Sequence, residues 1–121
     1  MTTSENWSLD HRIILVEWKR RLTVGDLTSC FHHLRVLLDE AAPSPSHILF
    51  DIRMSGHIPA QAPVIAIQSR FLDAENLGKV AVVSEDIIAQ VLASTASSVT
   101  RHKILFFPLY ESAVAYLQST S

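Results

Sequence analysis

The feature of this sequence that most constrains its fold is a set of four short runs made almost entirely of apolar residues. In each run apolar side chains fill both alternating sets of positions, which is typical of strands covered on both faces. A sheet buried on both sides is completed by the helices that connect its strands. The strands are predicted at Arg12–Trp18, His47–Ile52, Val80–Val83 and Lys103–Phe107.

Segments with helical periodicity follow these runs. The clearest one begins after Thr23, which stands three residues before Asp26 in a pattern close to a capping box. An acidic side chain in the first turn also interacts favourably with the helix dipole. Apolar residues then recur at helical spacing, ending at the Pro43–Ser46 segment, which stops the helix. Helices are predicted at Thr23–Ala41, Ala60–Leu72, Glu85–Ala96 and Tyr110–Gln118.

The alternation of strand and helix predicts an α/β fold, with a mainly parallel sheet of four to five strands, about four helices and right-handed crossovers. The fifth strand is predicted at an edge of the sheet, over Trp7–Leu9. The polar residues Met1–Asn6 are expected to form a disordered tail. With 121 residues, the chain has the size of one domain, which we expect to span residues 1–121.

Composition narrows the classes of partner. The net charge is −2 and the only basic run is Lys19–Arg21, whereas nucleic-acid binding needs a clustered basic face, so we expect no nucleic acid. No run approaches the length of a membrane-spanning helix. Met1–Asp10 carries no apolar signal core and Cys30 is the single cysteine, so we expect a cytoplasmic protein. A charged fraction of only 18% indicates that another molecule covers part of the surface, and a second copy of the chain is one candidate.

Familiar catalytic and cofactor motifs are missing. The three glycines lie far apart, so neither of the glycine-rich phosphate-binding loops can form. The six histidines lack metal-ligand spacing, and Cys30 lies near the apolar side of a helix, where a thiol is inert. We therefore expect no cofactor, no metal and no catalytic residue.

The segment Phe50–Pro59 is the candidate binding site, because the strand becomes polar where it ends. Ligands of open α/β sheets bind at the carboxyl ends of strands. Asp51 and Arg53, two residues apart, project to one side, and with Ser55 and His57 they could form a polar binding edge. The alternative is an ion pair between Asp51 and Arg53 that only fixes the turn.

Several segments resemble STAS domains, the SpoIIAA-like fold of bacterial anti-sigma factor antagonists. They are LTVGDL (22–27), ILFDIRMSGHIP (48–59), NLGKVAVVS (76–84) and ILFFPLYESAVAYL (104–117). The resemblance implies a regulatory, protein-binding module with a phosphorylatable serine before a helix, for which Ser55 in Met54-Ser55-Gly56 is the nearest match. In the closing helix, Leu109 stands where the family pattern has a capping threonine.

Three functions remain open. The first is a non-enzymatic regulatory or protein-interaction module with a protein partner. The second is a domain for a small apolar ligand or lipid, because the fold class also resembles CRAL-TRIO domains; the aromatic residues at the ends of the predicted elements would then line a ligand site rather than fill the core. The third is an enzyme that uses Asp51 with His57. The aromatic residues concerned are Phe71, Phe106, Phe107 and Tyr110.

Overall fold

The computed structural model is an α/β structure built on one five-stranded mixed sheet, and it describes residues 3–8, 12–55, 58–87, 90–91, 94–95 and 104–119. The strands lie side by side in chain order. β1 is antiparallel to β2, and the other three neighbouring pairs are parallel. The strands are β1 Thr3–Ser8, β2 Ile13–Trp18, β3 Ser46–Asp51, β4 Leu77–Val83 and β5 Ile104–Phe107.

The edge strand differs from its prediction. β1 pairs with β2 along its whole length, so residues 3–6 belong to the sheet and are not part of a tail. The pairing with β2 makes this segment a strand despite its polar side chains. Such side chains are tolerated on an edge strand because water lies beside it. The exposed Asn6 is opposite Leu15 in the register, and Trp7 is opposite Ile14.

Three α-helices have bounds within the described residues: α1 Val24–Ala41, α2 Ala62–Ser69 and α3 Tyr110–Gln118. The helix predicted over Ala60–Leu72 is shorter, because Arg70 adopts a left-handed conformation with φ of 65° and a 3-10 turn follows at Phe71–Asp73. The helix predicted over Glu85–Ala96 is described only in part: residues 85 and 86 are not helical, residues 87, 90, 91, 94 and 95 are, and residues 88–89, 92–93 and 96 lie outside the described residues.

α1 begins with the predicted capping box. Thr23 Oγ1 accepts a hydrogen bond from the Asp26 backbone N–H at 3.1 Å, and Asp26 Oδ2 accepts one from the Thr23 backbone N–H at 2.9 Å. Two backbone groups at the helix entry are satisfied in this way. The helix ends at Ala41, two residues before Pro43, which cannot continue it.

The sheet separates two apolar clusters. On one side α1 and α2 pack against alternate strand residues, with an aromatic group formed by Trp18, Phe31, Phe50 and Phe71. On the other side Ala113 and Leu117 of α3 pack against the remaining strand residues, among them Leu49 and Val83. Both faces of the central strands are buried, as their continuous apolar runs predict. None of the helices in the described ranges has the length and apolar character to span a membrane.

One lysine connects the end of α3 to the sheet through hydrogen bonds. Lys79 of β4 donates hydrogen bonds from Nζ to the carbonyl oxygens of Tyr116, at 3.1 Å, and Ser119, at 2.8 Å. The same ammonium group lies 5.1 Å from the centre of the Tyr116 ring. A cation at the carboxyl end of a helix satisfies its last carbonyl groups and opposes the helix dipole.

Candidate functional site at the carboxyl ends of the strands

Residues at the carboxyl ends of the four parallel strands form one row across the sheet. Glu17 is the register partner of Asp51, Asp51 of Val83, and Val83 of Phe107. Because parallel strands end at the same edge, the loops that follow them also meet there. The row brings the predicted segment Phe50–Pro59 close to the start of α3.

Asp51 and Arg53 form a bidentate ion pair at this edge. Arg53 Nε donates to Asp51 Oδ1 at 2.9 Å, and Arg53 Nη2 donates to Oδ2 at 2.8 Å. The Arg53 backbone N–H also donates to Oδ1, at 3.3 Å. The hydrogen bonds from Arg53 hold the pKa of the Asp51 carboxyl below its usual range. Asp51 is therefore an ionised carboxylate at neutral pH, and both of its oxygens are occupied.

Tyr110, the first residue of α3, lies beneath the same guanidinium group. Arg53 Cζ is 5.5 Å from the centre of the Tyr110 ring, a cation–π distance. Burial raises the pKa of the Tyr110 hydroxyl, and the negative charges of Asp51 and Glu17 raise it further. The phenol is thus a neutral hydrogen-bonding group. The loop after β3 and the start of α3 are joined through Arg53.

Two exposed apolar side chains are next to this stack in the chain. Met54 follows Arg53 and is 74% exposed, and Leu109 precedes Tyr110 and is 58% exposed. Leu109 is the N-cap of α3 and makes no side-chain capping hydrogen bond there. We call Arg53, Met54, Leu109 and Tyr110 the rim patch. It combines an oriented cation, an aromatic ring and apolar side chains in contact with solvent.

Ser55 does not belong to this surface. The residue is only 2% exposed, and its hydroxyl donates a hydrogen bond to the Ile52 carbonyl oxygen at 2.9 Å. The next helix, α2, begins at Ala62, so Ser55 is not at a helix N-terminus. This placement disfavours both the binding role and the phosphorylation predicted for Ser55, because a kinase needs an accessible hydroxyl.

His57 lies outside the described residues, so the predicted pairing of Asp51 with His57 is not described either. The position of Asp51 is defined by Arg53 instead. Of the four predicted binding residues, the structure therefore brings Asp51 and Arg53 together. They form an ion pair, which is the geometry of the alternative prediction, a pair that fixes the turn.

The other candidate reactive groups are distant from the rim patch or buried. Cys30 is 1% exposed, in the helical layer of the structure, as predicted for an inert thiol. Burial, reinforced by the charge of Glu5, raises the pKa of the thiol. Over the described ranges, no three His, Cys, Asp or Glu side chains are grouped so that they could hold a metal ion.

The aromatic residues considered as lining for an apolar ligand contact other side chains of the chain. Phe71 is 2% exposed and stacks on Phe31, with ring centres 5.2 Å apart. The Phe107 ring lies 5.4 Å from the ring of Tyr116, and Phe106 packs against the cluster under α1 and α2. These contacts are the ones expected of residues that fill a core.

Glu17 was not predicted at this edge, and Tyr110 was predicted only as possible lining for an apolar ligand. The edge rule that singled out residues after β3 applies equally to the ends of β2 and β5, and it would have pointed to both. Nothing in the local sequence of Tyr110 shows that Arg53 contacts its ring. The exposure of Met54 and Leu109 likewise depends on which neighbours the fold supplies.

Comparison with family models, with curated proteins and with solved structures found no match to this chain. The candidate site is therefore interpreted from the geometry and chemistry of its own residues.

Proposed function

We propose that this chain is a non-enzymatic regulatory or protein-interaction module that binds a protein partner through the rim patch. One observation carries the proposal: Met54 and Leu109, two large and mostly exposed apolar side chains, are the chain neighbours of Arg53 and Tyr110, whose side chains stack on each other. Tyr, Arg and Met are enriched in protein interfaces, and Tyr and Arg are among the residues that contribute most binding energy.

The geometry of Arg53 supports this role. Its Nε and Nη2 groups are engaged by Asp51, and among the described residues none accepts a hydrogen bond from Nη1. The ion pair fixes the plane of the guanidinium group, so the free edge is oriented before binding. Such an edge suits a carboxylate or peptide carbonyl oxygen of a partner.

Two observations favour binding over catalysis. A general acid or base works best with a pKa near the working pH, whereas Arg53 lowers the pKa of Asp51. A cysteine nucleophile must be accessible as a thiolate, whereas Cys30 is buried with a raised pKa.

The STAS resemblance stays a prediction and supplies the regulatory part of the proposal. We also propose a cytoplasmic location, with which a free thiol at Cys30 is compatible. The alternative of an apolar-ligand or lipid-binding domain also stays a prediction, and the contacts among the buried aromatic rings do not favour it.

Site-specific photo-crosslinking tests the proposal. A photoreactive phenylalanine analogue replaces Met54 or Leu109 in the full chain, expressed in its native cells, and Glu40, exposed near the far end of α1, is the matched control position. We expect one discrete protein adduct shared by positions 54 and 109 and absent at position 40. Arg53→Ala should then weaken the adduct at position 109.

Equal labelling at all three positions, or no adduct at the rim positions, would contradict the proposal. Circular dichroism of each variant verifies that the fold is retained.

A further inference from the structure

β3 and β4 pair irregularly at one point near their amino ends. The register shifts there, so that two residues of β4, Gly78 and Lys79, lie opposite the single residue His47 of β3. An extra residue in one of two paired strands is a β-bulge, and it interrupts the ladder of backbone hydrogen bonds. A backbone N–H at such a point needs another acceptor.

The imidazole of His47 supplies that acceptor. The Lys79 backbone N–H donates a hydrogen bond to His47 Nδ1 at 2.7 Å. A ring nitrogen that accepts a hydrogen bond carries no proton, so this imidazole is neutral and has its proton on Nε2. A protonated imidazole has N–H groups at both nitrogens and accepts no hydrogen bond. The contact with Lys79 therefore exists in only one protonation state of His47.

Gly78 makes room for this arrangement. A Cβ atom at position 78 would overlap the His47 ring at Nδ1 and Cε1. Glycine within a strand is typical of places where another group approaches the backbone closely. The imidazole thus lies directly against the backbone of β4, in space that a side chain at position 78 would occupy.

Lys79 connects the bulge to the carboxyl end of α3. Its backbone N–H is bound by His47, and its Nζ group donates to the carbonyl oxygens of Tyr116 and Ser119. His47 and Leu49, two residues apart on β3, project to the side of the sheet that α3 covers. A shift of the Lys79 backbone therefore reaches the end of α3 through the two hydrogen bonds of its side chain.

The charges around the ring oppose its protonation. They are Lys79 on β4 and Arg12 before β2, whose carbonyl oxygen accepts a hydrogen bond from the His47 backbone N–H; on α3 the ionisable group of this region is Tyr116, which faces Lys79. Among the residues that the structure describes, no carboxylate forms an ion pair with His47. Burial lowers the pKa of His47, and the positive charges of Lys79 and Arg12 lower it further.

The sign of this shift determines the pH range. Because the folded-state pKa of His47 is below the unfolded value of about 6.5, the neutral ring contributes stability above that pH. The contribution is lost as the pH falls from there through the folded-state value. This range lies above the one in which Asp51 titrates, so the two groups can be distinguished.

We propose that His47 is a pH-sensitive switch: protonation of its imidazole breaks the hydrogen bond from Lys79 and loosens the carboxyl end of α3 from the sheet. A proton from solvent binds Nδ1, and the Lys79 backbone N–H then loses its acceptor. This inference goes beyond the rim patch and does not depend on it, because His47 lies near the amino end of β3 and the rim patch follows its carboxyl end.

NMR of the full chain between about pH 8 and about pH 5, the range in which histidine titrates, is the test. The ring nitrogen resonances of His47 should show a proton on Nε2 and a titration midpoint below about 6.5. The amide resonance of Lys79 should shift with the same midpoint. Amide hydrogen exchange at residues 117–119, corrected for its intrinsic pH dependence, should accelerate by about two- to tenfold, as expected for one lost hydrogen bond.

Three variants separate the switch from general effects of acid. His47→Asn keeps an acceptor oxygen near the position of Nδ1 but cannot be protonated in this range, so the pH response of residues 117–119 should disappear. Gly78→Ala should displace the ring and cause the faster exchange already at about pH 8, where a histidine is neutral. The matched control is His32→Gln, at an exposed histidine of α1, which should retain the complete wild-type response.

A His47 midpoint at or above about 6.5 overturns the inference, and so does a Lys79 amide resonance that does not follow the titration of His47. A wild-type pH response in His47→Asn, or wild-type exchange of Gly78→Ala at neutral pH, also overturns it. Should either variant fail to fold, the titration and the exchange rates of the wild-type chain decide the question by themselves.

Discussion

α1 and α2 follow successive strands and pack against the same side of the sheet, but their outer surfaces differ. α1 is amphipathic, with six buried side chains on one side and exposed polar side chains, such as His32, Asp39 and Glu40, on the other. α2 buries four residues and still presents Val64 and Ile67 to solvent. The outer side of α1 is polar and suited to contact with water, whereas α2 leaves large apolar side chains in contact with solvent.

The two helices also begin differently. α1 begins with the reciprocal hydrogen bonds of Thr23 and Asp26. At α2 the N-cap position, Gln61, makes no side-chain capping hydrogen bond. The start of α1 is therefore stabilised by capping hydrogen bonds that have no counterpart at Gln61.

The largest effect is expected on the inner side of α1. Leu34 is fully buried between α1 and the sheet, so Leu34→Ala should lower the free energy of unfolding by about 2–5 kcal/mol through lost burial and the cavity left behind. Chemical denaturation followed by circular dichroism measures the change. Val36→Ala, on the outer side of the same helix, is the control. If Leu34→Ala lowers the free energy of unfolding no more than Val36→Ala does, the description of α1 as buried on one side and exposed on the other is wrong.

Removing the cap should have the next largest effect. Thr23→Ala deletes the acceptor for the Asp26 backbone N–H and should lower the free energy of unfolding by about 1 kcal/mol. Gln61→Ala, at the corresponding position of α2, should change it little, since no capping hydrogen bond is lost. Equal effects of the two substitutions in urea titrations would refute the contrast between the two helix entries.

A smaller effect, of opposite sign, is expected where α2 ends. Arg70 has a φ of 65°, a left-handed conformation in which glycine has no steric penalty, so Arg70→Gly should raise the free energy of unfolding by about 0.5 kcal/mol. The lost pair with Asp73 is exposed on both sides and contributes little. Ala42→Gly, after α1, is the control, because Ala42 has a φ of −56° and should gain nothing. Thermal unfolding of both variants measures the effect. A gain in stability in Arg70→Gly alone would confirm the prediction, and no difference between the two variants would contradict it.

The smallest effect is expected on the stability of the protein at acid pH. Because Arg53 lowers the folded-state pKa of Asp51, the pair contributes stability above the unfolded pKa of about 4, and this contribution is lost as pH falls from there towards the folded value. Arg53→Gln should therefore flatten the pH dependence of stability below about pH 4. Asp26 at the entry to α1 offers a comparison, since Asp26→Asn should alter the cap and leave the contribution of Asp51 intact. An unchanged slope in Arg53→Gln would mean that the ion pair does not contribute to the stability of the folded protein.

Local chemistry explains what the sequence could predict. The four strands predicted from apolar runs begin and end within three residues of their predicted bounds, because such a run is recognisable without knowledge of its neighbours in the fold. The capping box of α1 is equally local, with donor and acceptor three residues apart. Asp51 and Arg53 were predicted to meet for the same reason.

What could not be predicted depends on contacts between distant residues. The start of β1 at Thr3 requires its pairing with β2, and the burial of Ser55 requires the fold around Ile52. Tyr110 meets Arg53 only because the ends of β3 and β5 lie at one edge of the sheet. The exposure of Val64 was hidden because an apolar helix has the same sequence pattern whether its outer side is covered or open.

The position of α3 in the chain has a consequence for synthesis. Within the described residues, α3 supplies the helical packing on the second face of the sheet, where Ala113 and Leu117 cover Leu49 and Val83. This helix leaves the ribosome after all five strands, so a nascent chain that has already paired its strands still presents an apolar sheet surface to solvent. Premature termination before Tyr110 would leave that surface open permanently, and such fragments are expected to aggregate and to be recognised by chaperones.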